Sequence, residues 1–190
     1  MHNLWFSDFV RYAHILSVAV GFGTAFLADI HVLGQLKNRI TPDLASTLDR
    51  YHAIVWWALA GMWISGLVLI WLRTGFVLEN FTPKLFSKLF VVSLLSTNAI
   101  LIGKIAMPML RRNVGRSLPD LSLLCQIPIA MIAGVSTTSW LLALALGVSK
   151  VLAQSDRAFF IEAMPLFYLT SLAVSVMMVF AIQDRRLQSA

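Results

Sequence analysis

Three histidines lie in long apolar stretches of the sequence, where an ionisable side chain costs free energy and often marks a functional site. His14 lies near the beginning of the first stretch, His31 lies near its end, and His52 opens the second stretch. Imidazole nitrogens ligate haem iron and transition metals, and Asp29 adds a carboxylate close to His31. The alternative is that these histidines only make ordinary hydrogen bonds at the ends of helices.

His31 and His52 flank one short connection, so we expect their rings to lie near each other on adjacent antiparallel helices. Two imidazoles on neighbouring helices could provide both axial ligands of a b-type haem. Metal binding together with Asp29, or proton handling, would use the same pair. Trp56 and Trp63 share the helical face of His52, where they would line a cofactor site or fill the space between helices.

Two basic residues accompany His14. Arg11 precedes it by one helical turn, and Lys88 opens the third apolar stretch, which we expect to begin at the same level as His14. Basic side chains of this kind would bind the propionates of a haem or another anionic substrate. Lys88 taken alone could instead extend its ammonium group to the lipid headgroups.

The elements that carry these residues are predicted to be membrane-spanning helices. The chain has 190 residues, of which 58% are hydrophobic and 13% charged, whereas a soluble domain has roughly 25% charged residues. Each apolar stretch reaches the roughly 20 residues that a helix needs to cross a bilayer. We predict an all-α bundle that forms a single transmembrane domain over residues 1–190, with spans at about 12–36, 52–72, 88–110, 121–148 and 159–183.

Composition excludes several classes of protein. Cys125 is the only cysteine, so an internal disulfide framework is excluded. The formal net charge is +6, but the basic residues cap the apolar stretches, which indicates contact with lipid headgroups and no binding to nucleic acid. The short loops and the absence of a transit peptide are typical of a bacterial inner-membrane protein with several spans.

Prolines and small residues predict details of the helices. Thr41 and Pro42 predict the beginning of a short surface helix through Leu48. Pro128 and Pro165 lie inside the fourth and fifth spans and predict bends there. A stripe of small residues follows His14 at helical spacing, and it predicts either close helix packing or a groove for a flat macrocycle; the stripe comprises Ser17, Gly21, Ala25 and Ala28.

Orientation follows from the distribution of Lys and Arg. One side of the membrane would hold eight of these residues and the other side six, so the positive-inside rule predicts the N-terminus outside and the C-terminus in the cytoplasm. The eight residues are Lys37, Arg39, Arg50, Arg111, Arg112, Arg116, Arg185 and Arg186.

Three short motifs occur in a recognisable order. RYAHI at 11–15 opens the first span, SGLVL at 65–69 ends the second, and SKL at 87–89 begins the third. Over about residues 8–110 this order resembles the HemJ-type protoporphyrinogen oxidases and the related CopD-like membrane proteins. The resemblance implies a small helical membrane protein that binds haem b, with an important histidine at His14 and an important lysine at Lys88.

Three functions are compatible with these patterns. The first is a haem b protein that transfers electrons or oxidises a quinone or a porphyrin. The second is a CopD-like permease for a metal ion or small solute, although the ionisable residues crowd the two ends of the spans and leave the middle of the bilayer without donors. The third is a non-catalytic subunit of a larger membrane complex. Assembly as a homo-oligomer or within such a complex is compatible with all three.

Overall fold

The computed structural model describes residues 2–36 and 38–188, with side chains described for residues 4–36 and 38–184. Within this part the chain is helical, and its only β-type pairing is an isolated bridge between Arg39 and Ser117. Five helices in the described part of the chain are long and apolar enough to cross a membrane, which confirms the predicted helical class and the predicted number of spans. These five helices are Leu4–Gly34, Pro42–Thr74, Pro83–Arg112, Leu123–Val148 and Arg157–Asp184.

Helix α1 begins earlier in the chain than predicted, well before Tyr12. The residues ahead of Tyr12 contain no proline or glycine that would end a helix, and Arg11 pairs with Asp8 one turn away on the exposed surface. The regular elements are α1 (His2–Gly34), α2 (Pro42–Thr74), α3 (Pro83–Leu101), a π-helix (Ile102–Ala106), α4 (Met107–Arg112), α5 (Leu123–Val148), α6 (Val151–Gln154) and α7 (Arg157–Gln188), with 3-10 turns at Leu78–Asn80 and Leu118–Asp120.

The predicted surface helix after Thr41 is not a separate element. The Thr41 hydroxyl does cap a helix, since it accepts a hydrogen bond from the Leu44 N–H. That helix runs without a break through His52 to Thr74, because no proline follows Pro42 within it. It ends at Gly75, which adopts the left-handed conformation that favours glycine.

The third span is interrupted near its end. A π-helix covers Ile102–Ala106, two residues before Pro108, where the sequence predicted one regular span. Proline has no N–H to donate, and its ring clashes with the carbonyl four residues back in a regular α-helix. The wider π turn accommodates Pro108. Pro128 and Pro165 lie inside α5 and α7, and neither of them ends its helix.

Helix α5 lies centrally and contacts α1, α3 and α7, while α2 packs mainly along α1. The side where α1, α3 and α7 begin is called the His14 side, and the opposite side is called the His52 side. Three clusters of buried residues lie along the described part of the bundle. The cluster on the His14 side comprises Val91, Leu146, Phe160 and Met164, and the middle cluster comprises Val55, Leu59, Met62, Leu95, Ala99 and Trp140. The cluster on the His52 side comprises Ile40, Leu44, Leu48, Met107, Leu110, Leu118 and Leu121.

Part of the orientation argument falls on residues without a described structure. Lys37 lies outside the described residues, and so do the side chains of Arg185 and Arg186. Among the remaining members of that basic set, Arg111 of α4 forms an ion pair with Asp49 of α2, which ties the two helix ends together on the His52 side.

Candidate functional site

His14 is held between α1 and α2 by a single well-defined hydrogen bond. Its Nδ1 lies 3.0 Å from the Ser65 hydroxyl oxygen. The ring also packs against Gly66, where an added methyl group would come within 3.3 Å of Cε1. The carbonyl of Met62 lies nearby as a further polar neighbour. Gly66 therefore leaves the space that the imidazole occupies.

The partners of Ser65 fix the protonation of that ring. The Ser65 hydroxyl has one hydrogen, and it donates it to the Gly61 carbonyl at 2.6 Å. Ser65 must then accept a hydrogen bond from His14, so Nδ1 carries the proton and Nε2 carries the lone pair. No side chain in the described part of the chain hydrogen-bonds to Nε2. This is the arrangement by which a second group orients a ligating histidine.

Lys88 is the nearest charged neighbour of His14. It is half-buried, and its ammonium group lies within electrostatic range of the imidazole. Lys84 and Arg73 lie within electrostatic range of Lys88 in turn, and none of the three forms an ion pair within the described residues. Lys84 donates to the Ser149 carbonyl at the end of α5. The His14 side therefore carries a cluster of positive charge that can bind an anion.

Arg11 is not brought into this cluster by any described contact. Its guanidinium group donates to the Asp8 carboxylate at 3.3 Å, and both side chains are exposed. The pair lies on the same helix as His14 but one turn closer to the beginning of the chain. Of the two basic residues predicted to accompany His14, the structure places only Lys88 beside it.

His52 has the opposite hydrogen-bond arrangement. Its Nε2 lies 2.9 Å from the Ala99 carbonyl oxygen of α3 and 3.1 Å from the Trp56 indole nitrogen. A carbonyl oxygen can only accept a hydrogen bond, and an unprotonated Nε2 would repel it, because two lone pairs would face each other. We therefore assign the proton to Nε2. The ring also packs against Gly103 in the π-helix, where an added methyl group would come within 2.9 Å of Cε1.

His31 does not join His52. Its ring is exposed and packs against Tyr51 with ring centroids 6.2 Å apart, whereas His52, the next residue along α2, turns towards α3. Asp29 faces α5, where the Thr137 hydroxyl donates to its carboxylate at 2.9 Å. Within residues 2–36 and 38–188, no group of three or more His, Cys, Asp or Glu side chains is arranged to hold a metal ion.

Trp63 and the small residues predicted near a cofactor serve helix packing in this structure. Trp63 donates to the Ser96 hydroxyl of α3 at 2.9 Å. In the small-residue stripe, Ser17 lies against Gly61 of α2, and Gly21 leaves the space filled by the Trp140 ring of α5. The stripe therefore brings α1 close to two neighbouring helices, which is the first of the two interpretations that the sequence left open.

A large apolar cavity lies elsewhere on the His14 side, and the sequence analysis missed it. It has a volume of about 820 Å³ and lies between α3 and α7, with Phe86 and Phe90 on one wall and Ile161 and Leu169 on the other. No histidine lines it, so it is separate from His14. The i, i+4 spacing of Phe86 and Phe90 in the sequence was the available signal for an exposed aromatic face.

Three further contacts of the histidines were also missed. Ser65, Gly66 and Gly103 set the positions of the two rings, and the available signal was small residues at points where a large imidazole approaches another helix. Pro108 was the signal for the irregular turn that carries Gly103. Such signals cannot be used until the pairing of the helices is known.

Comparison with known proteins adds no family to this description. No family model, no curated protein and no solved structure matches the chain.

Proposed function

We propose that this chain is a haem b-binding integral membrane protein in which His14 provides an axial ligand. The function would be electron transfer, or oxidation or reduction of a quinone or a porphyrin. The observation that carries the proposal is the hydrogen-bond chain from His14 through Ser65 to the Gly61 carbonyl, which leaves the Nε2 lone pair of His14 without a side-chain partner among the described residues.

The residues around His14 match the chemistry of this group. A haem carries two carboxylates, and the cations of Lys88 and Arg73 lie on the His14 side, where neither forms an ion pair within the described residues. Haem b, when bound, supplies an iron that changes between ferrous and ferric states and therefore supports one-electron chemistry. The role of the protein would be to hold the ligand nitrogen, neutralise the carboxylates and exclude water.

His14 is a better candidate ligand than His52 or His31. The Nε2 of His52 is engaged by a backbone carbonyl, and that hydrogen bond would have to break before Nε2 could ligate iron. His31 is exposed at the membrane boundary and has an aromatic neighbour, but none of the described residues makes a hydrogen bond that would orient its ring. The proposal therefore replaces a His31/His52 ligand pair with a site on the opposite side of the membrane.

The test is the visible spectrum of the protein purified in mild detergent from haem-replete cells, before and after reduction with dithionite. We expect a Soret band and sharp α and β bands after reduction, lost in His14→Ala and retained in His31→Ala and His52→Ala. Loss of the bands in His52→Ala but not in His14→Ala would overturn the ligand assignment. A colourless protein, also after added hemin, would overturn haem binding and leave a permease or a non-catalytic subunit as the alternatives.

We also propose that the chain lies in a bacterial inner membrane with its N-terminus outside and the loop after Arg112 in the cytoplasm. Single cysteines at Glu79 and Arg116, both exposed and on opposite sides of the bundle, test the orientation in a Cys125→Ala background. A membrane-impermeant maleimide applied to intact cells should label Glu79→Cys and not Arg116→Cys. The reverse pattern would show the opposite orientation.

A further inference from the structure

The cavity between α3 and α7 has the shape of a groove that runs along one leaflet. Its lining residues recur at helical spacing from Pro83 to Leu94 on α3 and from Arg157 to Leu169 on α7. At 1.5 Å per residue these stretches are about 16 and 18 Å long. Half of the hydrocarbon thickness of a bilayer is about 15 Å. The groove therefore extends from the membrane boundary to about the middle of the bilayer.

The groove is apolar along its length and open to the bilayer. Phe160 and Met164 form a buried floor, while Phe90 at 53% and Leu169 at 63% exposure form the rims. Deep in the groove, the Tyr168 hydroxyl forms a hydrogen bond with the Ser139 hydroxyl at 3.0 Å. Such a largely apolar surface matches the methylene chain of a lipid.

The end of the groove at the membrane boundary is positively charged. Arg157 lines the groove at the first residue of α7, is exposed, and forms no ion pair or hydrogen bond within the described residues. The neighbouring Asp156 carboxylate accepts the Phe159 N–H and makes no ion pair within the described residues. Glu162 is exposed, does not line the groove and makes no ion pair in the described part of the chain. Arg157 can therefore donate to a phosphate through two N–H groups.

We infer that this groove is a binding site for one anionic phospholipid, with an acyl chain between α3 and α7 and the phosphate on Arg157. The site does not depend on haem binding, because it shares no lining residue with the surroundings of His14. A bound lipid would cover the aromatic faces of Phe86 and Phe90 and tie α7 to α3 on the His14 side.

The experiment is native mass spectrometry of the full chain in detergent, titrated with phosphatidylglycerol or with phosphatidylcholine. We expect one phosphatidylglycerol to bind more tightly than phosphatidylcholine. Arg157→Ala should weaken this binding about tenfold, the loss of one charge-assisted hydrogen bond. Lys150→Ala is the matched control, since Lys150 is an exposed cation at the same boundary that does not line the groove. Its effect should be less than about twofold.

A second pair of variants tests the groove itself. Leu169→Trp fills it, and Leu166→Trp adds the same ring at a position of similar exposure (65%) that does not line it. We expect only Leu169→Trp to abolish the tight phosphatidylglycerol adduct, with both variants eluting as folded protein on size exclusion. Equal effects of Arg157→Ala and Lys150→Ala, equal binding of the two lipids, or co-purification of a quinone that Leu169→Trp removes would each overturn the proposal.

Discussion

His14 and His52 are the same residue type at corresponding depths on opposite sides of the bundle, yet their hydrogen bonds leave them in different chemical states. The serine beside His14 must accept, so the proton lies on Nδ1, and no side chain in the described part of the chain hydrogen-bonds to Nε2. The carbonyl beside His52 can only accept, so the proton lies on Nε2 and that nitrogen is engaged. Membrane depth thus identifies candidate ligands, but the acceptor on the neighbouring helix decides which nitrogen can bind a metal.

The surroundings of the two histidines differ in charge as well. Lys88 acts electrostatically on His14, Lys84 and Arg73 act on Lys88, and none of the three is ion-paired within the described residues. On the His52 side, Arg111 is paired with Asp49. The half-buried Lys88 beside His14 can therefore receive an anion, whereas Arg111 already has a carboxylate partner. Four substitutions test this difference. Each is compared with a second variant, which changes either an unrelated contact or a residue on the opposite side of the bundle.

The largest effect is expected from Ser65→Ala, which removes the acceptor that orients His14. Loss of such a partner typically weakens metal binding by about 10–100-fold, and we expect haem retention during dilution to fall by that order. Ser96→Ala, which removes the partner of Trp63, is the control and should leave haem retention unchanged. Absorbance of the Soret band against protein concentration measures both. Equal retention in the two variants would contradict the role assigned to Ser65.

The second effect concerns packing around the rings. Gly103→Ala places a methyl group 2.9 Å from the His52 ring, which the hydrogen bond to the Ala99 carbonyl holds in place, and we expect it to lower the free energy of unfolding by about 1–3 kcal/mol. Gly66→Ala comes only within 3.3 Å of the His14 ring and should cost less. Unfolding of both variants in an SDS titration measures the difference. A larger cost for Gly66→Ala would contradict the tighter packing described for His52.

The third effect tests the uncompensated charge. Lys88→Met removes a half-buried cation from beside two others, so we expect the free energy of unfolding to rise by about 1 kcal/mol because desolvation and repulsion are relieved. Lys104→Met changes an exposed lysine on the His52 side and should have almost no effect on stability. Thermal unfolding in detergent distinguishes them. A destabilised Lys88→Met protein would indicate that Lys88 has a stabilising partner.

The smallest effect is expected at Trp56. Because the Nε2 of His52 donates to Ala99, it cannot also accept the Trp56 N–H, so Trp56→Phe should cost less than about 0.5 kcal/mol. Trp63→Phe removes a satisfied hydrogen bond to Ser96 and should cost about 1 kcal/mol. The same SDS titration compares them. A larger loss in Trp56→Phe would mean that His52 carries its proton on Nδ1.

The sequence was sufficient for the number and approximate positions of the spans, because a helix that crosses hydrocarbon needs a long apolar run and few charges. It did not show that α2 continues from Pro42 through His52, since charged residues such as Asp49 and Arg50 suggested a loop. In the structure Asp49 makes an ion pair with Arg111, and the helix needs no break there. The π-helix was not predicted, although Pro108 was the residue in the sequence that disfavours a regular α-helix at this position.

For the candidate site, residue types and levels could be predicted but neighbours could not. The position along a helix gives the depth of His14 and Lys88, and the structure places the two near each other. The pairing of the helices, and the face that each presents to its neighbour, depend on contacts between residues of different helices, such as Gly21 with Trp140. For that reason the expected His31/His52 pair was replaced by separate contacts with Tyr51 and Ala99.

The π-helix at Ile102–Ala106 has a consequence for how this chain can change in length. An i→i+5 turn holds one residue more than an α-helical turn. Deletion of the exposed Lys104 would therefore leave Met107 and Leu110 on their buried faces, at the cost of the clash that Pro108 makes in a regular helix. Deletion of Ser93 within the regular part of α3 would instead rotate everything after it by about 100°. This one turn is a place where the third span can lose a residue without losing its packing.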